Sequence, residues 1–140
     1  MAKAVKESAV KGEPVFLKLL RDPNRFKKLE DGWVRDSLLG VEWGPSSTEE
    51  MTWKEAQKYC AKLEGRLPEV NELQSIVDYR KRVPAINTEI FPDTKSSWYW
   101  TATQYADVSG YAWIVSFYFG CVDSFYKDCF GYVWPVRSSQ

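Results

Sequence analysis

The chain has 140 residues, of which 44% are hydrophobic and 16% aromatic, and its 19 basic residues balance 19 acidic ones. This length predicts one domain around a single core, and the zero net charge argues against binding to nucleic acid or to an anionic membrane. Because the sequence has no histidine and only three cysteines, it offers no imidazole base, no histidine metal ligand and no even disulfide framework. We therefore expect neither a metal nor another cofactor.

The first 24 residues mix both charges and close on Asp22-Pro23-Asn24, which is a turn signal. We interpret residues 1–24 as an N-terminal extension, with one candidate strand at Val15 to Leu19, and place the domain in residues 25–140. No segment has the length and apolarity of a membrane span, and the N-terminus lacks a signal-peptide core.

A hairpin is predicted at the start of the domain. Its strands are Arg25 to Leu29 and Trp33 to Asp36. Between them, Asp31-Gly32 supplies the positive φ that a tight turn requires.

Two short helices are predicted from capping and breaking residues. Thr52 and Glu55 form a capping box, because each side chain satisfies a free backbone donor of the other, and Gly65 ends that helix. A second helix follows Pro68. The predicted apolar stripes are Ala56, Tyr59, Cys60 and Leu63 in the first helix and Val70, Leu73, Ile76 and Val77 in the second.

The second half of the chain is predicted to be rich in β structure. Trp113, Val115 and Phe117 alternate with Ile114, Ser116 and Tyr118, and this period of two predicts that the first set faces the core and the second set faces outward. The chain then reverses at Gly120, after which Val122 is expected inside and Cys121 and Asp123 outside. Phe119 is unusual, since the residue before Gly in a tight hairpin is commonly Asn or Asp.

Residues 114–132 use a restricted set of residue types. Glu, Gln, Lys, Met and Trp make up 33 of the first 113 residues, so about five or six would be expected in a window of this length, yet Lys127 is the only one. Tyr, Ser, Gly and Asp interleaved with Phe are typical of antibody-like binding surfaces. A plain aromatic sheet is the alternative, because strands avoid Glu and Lys by propensity. The excess of aromatics outside the alternating core set favours a binding surface.

Catalytic and metal-binding interpretations are weaker. The carboxylates of Glu49-Glu50 and of Asp123 with Asp128 have no identifiable nucleophile or base beside them, so a solvated role is favoured. Cys121 and Cys129 match no zinc spacing. Cys60, on the apolar stripe of the first helix, is expected in the core. Lys127 is expected to hold a loop or to stack on a ring.

Three segments together resemble one family: VRDSLLGVEW (34–43), RLPEVNELQSIVDY (66–79) and FPDTKSSWYWTATQYA (91–106). They are similar to the C-terminal domain of the Legionella collagen-like adhesin and to domains of the C-type-lectin and formylglycine-generating-enzyme-like fold. The resemblance covers about residues 25–137. It implies an α+β fold with two helices, a small antiparallel sheet, long irregular loops and a terminal strand at Val136-Arg137.

Two properties of that family are not expected here. Members often carry a cysteine in the terminal strand, where this chain has Pro135, so Cys60 is expected to be a free thiol. The adhesin binds sulfated polysaccharide, whereas residues 96–140 contain only Lys127 and Arg137 as basic residues, which is too few for a polyanion site. The enzyme branch of the fold needs reactive cysteines that this sequence does not match.

The restricted window also resembles lectin-fold variable proteins of diversity-generating retroelements. In such proteins template adenines are randomised, chiefly at the Asn codons AAC and AAT, so every substituted codon ends in a pyrimidine. These codons never encode Lys, Glu, Gln, Met or Trp. All of residues 114–132 except Lys127 fit that alphabet, and the resemblance implies a variable region at about residues 105–132.

The resemblance implies a non-enzymatic domain that displays a diversified surface on a virion or cell surface and binds a protein or glycan of a target cell. The residues expected to bind that ligand are Ile114, Ser116, Tyr118, Phe119, Cys121, Asp123, Ser124, Phe125, Tyr126, Asp128, Cys129, Phe130 and Gly131. A fixed-specificity adhesin that stacks sugars on Trp98, Tyr99 and Trp100 is one alternative. A structural module that buries its aromatics in a homo-oligomer is another.

Overall fold

A computed structural model describes residues 12–140, which form three helices and seven strands. The helices are α1 (Val15–Leu20), α2 (Trp53–Lys62) and α3 (Val70–Gln74). The strands are β1 (Phe26–Lys28), β2 (Val34–Asp36), β3 (Val41–Trp43), β4 (Trp98–Gln104), β5 (Tyr111–Ser116), β6 (Val122–Tyr126) and β7 (Val136–Ser138). The predicted α+β class is confirmed. None of the helices within residues 12–140 has the length and apolarity that a membrane crossing requires.

The strands form two antiparallel sheets rather than one. The first has the order β1-β2-β3-β7 and the second the order β4-β5-β6. In the first sheet Trp43 lies opposite Val136, so the predicted Val136-Arg137 strand is confirmed and joins the sheet beside β3. The β1–β2 hairpin is confirmed as well, with Lys28 opposite Val34 and a φ of +90° at Gly32.

Helix α1 occupies the segment that was expected as a strand, so the prediction for Val15 to Leu19 is wrong. The amides of Leu17 and Lys18 donate to the carbonyl of Pro14 at 3.1 and 3.4 Å, which closes a helical turn. Leu and Lys favour helix, and no strand of the described chain pairs with this segment. No residue of α1 is buried. The first 11 residues of the expected extension lie outside the described residues.

Helix α2 begins as predicted and ends differently. The capping box of Thr52 and Glu55 is present. The left-handed residue after the helix is Glu64, with a φ of 59°, and not Gly65. Gly65 is required for a different reason, because an added Cβ would lie 2.7 Å from the carbonyl oxygen of Val136. Helix α3 is short, so Ile76 of the predicted stripe lies in the turn beyond it, although it is still buried.

Two hydrophobic cores lie on opposite faces of the β4–β5 pair. The first core contains Val34, Val41, Trp43, Leu73, Ile76, Ile86, Phe91, Tyr99, Val115, Phe117, Trp134 and Val136. The second core contains Ala56, Cys60, Leu67, Trp100, Ala112, Ile114 and Val133. Because neighbouring residues of a strand point to opposite faces, Tyr99 enters the first core and Trp100 the second. The central strands are therefore covered on both sides.

A buried ion pair joins the first sheet to the turn that follows α3. Arg25 Nε and Nη2 donate to the Asp36 carboxylate at 3.0 and 2.9 Å, and the two side chains are 2% and 0% exposed. Arg25 also donates to Ser75 Oγ at 2.9 Å, and Asp36 accepts from Trp43 Nε1 at 3.1 Å. The pair thus ties β2 and β3 to the turn after α3, with its charges fully hydrogen-bonded.

Removing one partner of this pair should strongly destabilise the fold. We expect Asp36→Ala to lower the free energy of unfolding by about 3–5 kcal/mol, because it leaves the Arg25 charge buried without a partner. Urea denaturation measures this. The control is Arg80→Ala, which breaks an exposed ion pair with Asp78 and should cost about 1 kcal/mol or less. Equal, small effects of both substitutions would contradict the assignment.

Candidate functional site

The β5–β6 hairpin carries most of the predicted binding residues. Ser116 N donates to the Cys121 carbonyl at 2.7 Å, and four loop residues, 117–120, connect this pair. The loop is therefore wider than the tight turn that was expected. Only Gly120 has a positive φ, +96°, so Phe119 occupies an ordinary backbone conformation and does not strain the turn.

Two aromatic residues form the exposed tip of the hairpin. The side chains of Tyr118 and Phe119 are 44% and 52% exposed, and their ring centroids lie 4.4 Å apart in an edge-to-face arrangement. Beside them, the ring of Phe117 is fully buried in the first core. The loop thus anchors one aromatic side chain and presents the next two to solvent.

Strand β6 divides the remaining candidates between two faces. It is the edge strand of its sheet, with Phe125 opposite Ala112 and Tyr126 opposite Tyr111. Because side chains alternate along a strand, Asp123 and Phe125 share one face and Ser124 and Tyr126 share the other. Asp123 and Tyr126 are exposed, as is Cys121 just before the strand, whereas Ser116, Ser124 and Phe125 are half-buried. The candidates therefore do not form one flat patch.

Ile114 is a core residue, so the prediction that its side chain faces outward is wrong. Its side chain is 2% exposed and packs in the second core with Ala56 and Trp100. Helix α2 covers this face of β5, a partner that period-two alternation does not reveal. Trp113, which was expected inside, is only half-buried and packs on Tyr105 with ring centroids 5.4 Å apart.

Gly131 is another predicted binding residue that lies inside the fold. It is buried, and its backbone pairs with Met51 through two hydrogen bonds of 2.9 Å. A Cβ added at Gly131 would overlap the ring of Trp98. Trp98 in turn packs edge-to-face on Phe125, with ring centroids 4.7 Å apart. The position therefore requires glycine for close packing.

Lys127 holds the loop that follows β6, as the sequence predicted. Its Nζ lies 4.3 Å from the centroid of the Trp53 ring and donates to Gln104 Oε1 at 2.7 Å. Its carbonyl accepts from the Trp53 amide at 3.0 Å. Between this anchor and Gly131, the side chains of Asp128, Cys129 and Phe130 are exposed.

The stacking platform expected for a fixed-specificity adhesin is absent. Tyr99 and Trp100 are both 0% exposed, and Trp98 is half-buried against neighbouring rings. Burial of both strand faces leaves no row of three open rings. Within the described residues 12–140, no group of three His, Cys, Asp or Glu side chains is placed to hold a metal ion.

Sequence reasoning missed the loop of residues 78–85, which lies beside the hairpin tip. Val83 N donates to the Tyr118 carbonyl at 2.8 Å, and Ala85 N donates to the Phe117 carbonyl at 2.7 Å. Tyr79 and Val83 are exposed. A signal was available in the run Tyr79-Arg80-Lys81-Arg82-Val83, which puts apolar and basic residues together between two buried segments.

The three cysteines should differ in reactivity. Cys60 is buried, and burial raises the pKa of its thiol to about 12, whereas Cys121 and Cys129 are exposed. Because the thiolate is the nucleophile, we expect an aromatic disulfide reagent at about pH 8 to titrate two thiols in the native protein and the third only in denaturant. Fast reaction of all three thiols would contradict the burial of Cys60.

Gly131 should be intolerant of a side chain. We expect Gly131→Ala to lower the free energy of unfolding by about 1–3 kcal/mol, because the methyl group must displace the Trp98 ring. The matched control is Gly110→Ala, where the nearest atom to an added Cβ, on Tyr126, lies at an ordinary 3.6 Å. Thermal and urea unfolding compare the two. Unchanged stability of Gly131→Ala would return this position to the set of variable candidates.

Comparisons with known proteins place the chain in a family. Among solved structures, the carbohydrate-recognition domain of the mouse scavenger receptor C-type lectin matches with a TM-score of 0.42 and 13% sequence identity, over 84% of this chain and 97% of that one. A comparison with curated proteins found no match. The model of the Lcl C-terminal domain matches residues 32–137, and the chain belongs to that family.

Proposed function

We propose that this chain is a non-enzymatic binding domain that displays its ligand surface on a virion or cell surface and binds a protein or glycan of a target cell. The surface consists of the exposed and half-buried candidates of the hairpin and of the loop after it. They are Ser116, Tyr118, Phe119, Cys121, Asp123, Ser124, Phe125, Tyr126, Asp128, Cys129 and Phe130.

The main support for the proposal is that large aromatic side chains are exposed on loops whose backbone is fixed by buried and hydrogen-bonded neighbours. Tyr118, Phe119, Tyr126 and Phe130 are 44–58% exposed. Tyr118 and Phe119 lie side by side at the hairpin tip, whereas Tyr126 ends β6 and Phe130 lies in the loop after it. Exposed aromatic side chains of this kind mark interaction sites, and Tyr and Phe supply rigid contact area at a low entropy cost. The buried Phe117 and the contacts of Lys127 fix the backbone of the two loops. The four exposed rings are not part of either hydrophobic core.

We further propose that a retroelement diversifies the exposed positions. The restricted alphabet of residues 114–132 supports this proposal, and burial argues for a smaller set of positions. Ile114 and Gly131 fit the alphabet but lie in the core and under Trp98, where substitution disrupts packing. Diversification compatible with folding is therefore confined to the exposed and half-buried candidates.

Sequencing the surrounding DNA tests the diversification. We expect a near-duplicate of the 3′ coding segment beside a reverse-transcriptase gene, with Asn codons at exposed candidates such as Tyr118 and Phe119. At Ile114 and Gly131 the duplicate should match the coding sequence. Codons ending in purines at the exposed candidates would refute diversification and leave the binding role to be judged separately.

Replacing the exposed rings should remove binding and leave the fold intact. We expect the combined substitution Tyr118→Ser, Phe119→Ser, Tyr126→Ser and Phe130→Ser to lower the free energy of unfolding by no more than about 2 kcal/mol, because each site is solvent-exposed. Binding to arrays of glycans and of cell-surface ectodomains should be lost. The measurements are urea unfolding and array fluorescence.

The control for this experiment is Phe117→Ala, which empties a buried position of the same loop and should cost about 3–5 kcal/mol. Loss of cooperative unfolding in the combined variant would show that the rings hold the fold together. Binding that survives the combined substitution would place the ligand site elsewhere on the domain.

A further inference from the structure

The loop of residues 78–85 and the tip of the β5–β6 hairpin form one continuous structure. Besides the two hydrogen bonds from Val83 and Ala85, Tyr79 packs directly against the hairpin. A Cβ added at Gly120 would lie 2.8 Å from Tyr79 Cε1. The Tyr79 hydroxyl also accepts a hydrogen bond of 3.2 Å from Gln74 Nε2. Tyr79 is thus fixed beside the tip, and the two loops present their outer side chains together.

Four large side chains of these two loops are exposed next to one another. Tyr79 is 62% exposed and Val83 46%, on one loop, and Tyr118 and Phe119 are 44% and 52% exposed on the other. Such clusters of apolar side chains on a soluble domain mark interaction surfaces. Because Tyr79 and Val83 precede the restricted window, part of this cluster belongs to the constant scaffold.

The charges beside the cluster are basic. Arg80 is neutralised by Asp78, which accepts from Arg80 Nε at 2.9 Å, and the hydrogen bond lowers the pKa of that carboxyl group. Lys81 and Arg82 are exposed and form no ion pair with the described residues 12–140. The scaffold loop has one acidic and three basic residues between 78 and 85, and it therefore carries a net charge of +2 beside the apolar cluster.

We propose that Tyr79, Lys81, Arg82 and Val83 form a constant half of the ligand-binding surface, next to Tyr118 and Phe119, and that this composite surface binds an acidic protein segment bearing apolar side chains. The inference rests on the proposed binding role of the hairpin tip. Tyr, Phe and Arg are the residue types enriched at protein interfaces, and complementary charges at a rim speed association and fix orientation.

The observations favour a protein segment over other anionic partners. A polyanionic glycan or a membrane surface is held by many cations at once, whereas this loop has a net charge of only +2 in a chain of zero net charge. The rings of Tyr118 and Phe119 lie edge-to-face against each other, which gives a compact contact area. A short acidic segment can be held by a few ion pairs, while apolar side chains between its acidic residues pack on the two rings.

A peptide selection tests the proposal on the full chain. A phage-displayed random 12-residue library is selected on the immobilised protein, and the enriched peptides are measured by fluorescence polarisation against three variants. These are Lys81→Glu with Arg82→Glu, Tyr118→Ser with Phe119→Ser, and the control Lys27→Glu with Lys28→Glu. The control makes the same change of net charge at exposed positions of β1 in the other sheet.

We expect enriched peptides to combine Asp or Glu with aromatic or aliphatic residues. Their affinity should fall about tenfold or more in the Lys81/Arg82 variant and in the Tyr118/Phe119 variant, and stay within about twofold in the control. Raising the salt concentration should weaken binding to the wild type and the control more than binding to the Lys81/Arg82 variant. Thermal unfolding of each variant confirms that it is folded.

Three results would overturn the inference. If peptide binding depends on Tyr118 and Phe119 but not on Lys81 and Arg82, the proposed function still holds, but the scaffold loop is not part of the binding surface. Vesicles of phosphatidylcholine and phosphatidylserine, or heparin, that bind through Lys81 and Arg82 without any acidic peptide would assign the charges to a membrane or a glycan. Selected peptides indifferent to both pairs would remove the composite surface and the role of the hairpin tip together.

Discussion

The burial of both faces of the β4–β5 pair is the constraint on which the rest of the structure depends. Tyr99 and Val115 pack into the first core, while Trp100 and Ile114 pack into the second. Each central strand therefore contributes almost its whole length to packing and has little surface left for recognition. Between residues 111 and 126, the exposed side chains therefore lie in the edge strand β6 and in the loop that joins it to β5.

This arrangement explains how irregular segments carry ordered side chains. The hairpin loop is fixed by Phe117 in the core and by backbone hydrogen bonds to Val83 and Ala85. The loop after β6 is fixed by Lys127 on Trp53 and by the pairing of Gly131 with Met51. Because these contacts use backbone atoms and buried groups, the side chains between them are free to differ without loss of the supporting structure.

The sequence predicted those parts of the fold that local chemistry specifies. The Asp-Gly hairpin, the Thr52–Glu55 capping box and the burial of Cys60 follow from backbone needs and apolar spacing, and the structure confirms them. Prediction from the sequence failed where the position of a side chain depends on a residue far away in the chain. Ile114 is buried because helix α2 covers its face, and Gly131 is a glycine because Trp98 lies on it. Neither partner can be inferred from residues 110–132 alone.

The same limit bears on the meaning of the restricted alphabet. By residue type alone, Ile114, Gly131, Tyr118 and Phe119 are equivalent. Packing separates them, because Ile114 and Gly131 are buried whereas Tyr118 and Phe119 are exposed. A process that changes codons without regard to structure would disrupt the first pair and spare the second. If the proposed diversification operates, selection for folding would confine it to side chains that lie outside the core, and exposure rather than residue type would then identify the variable positions.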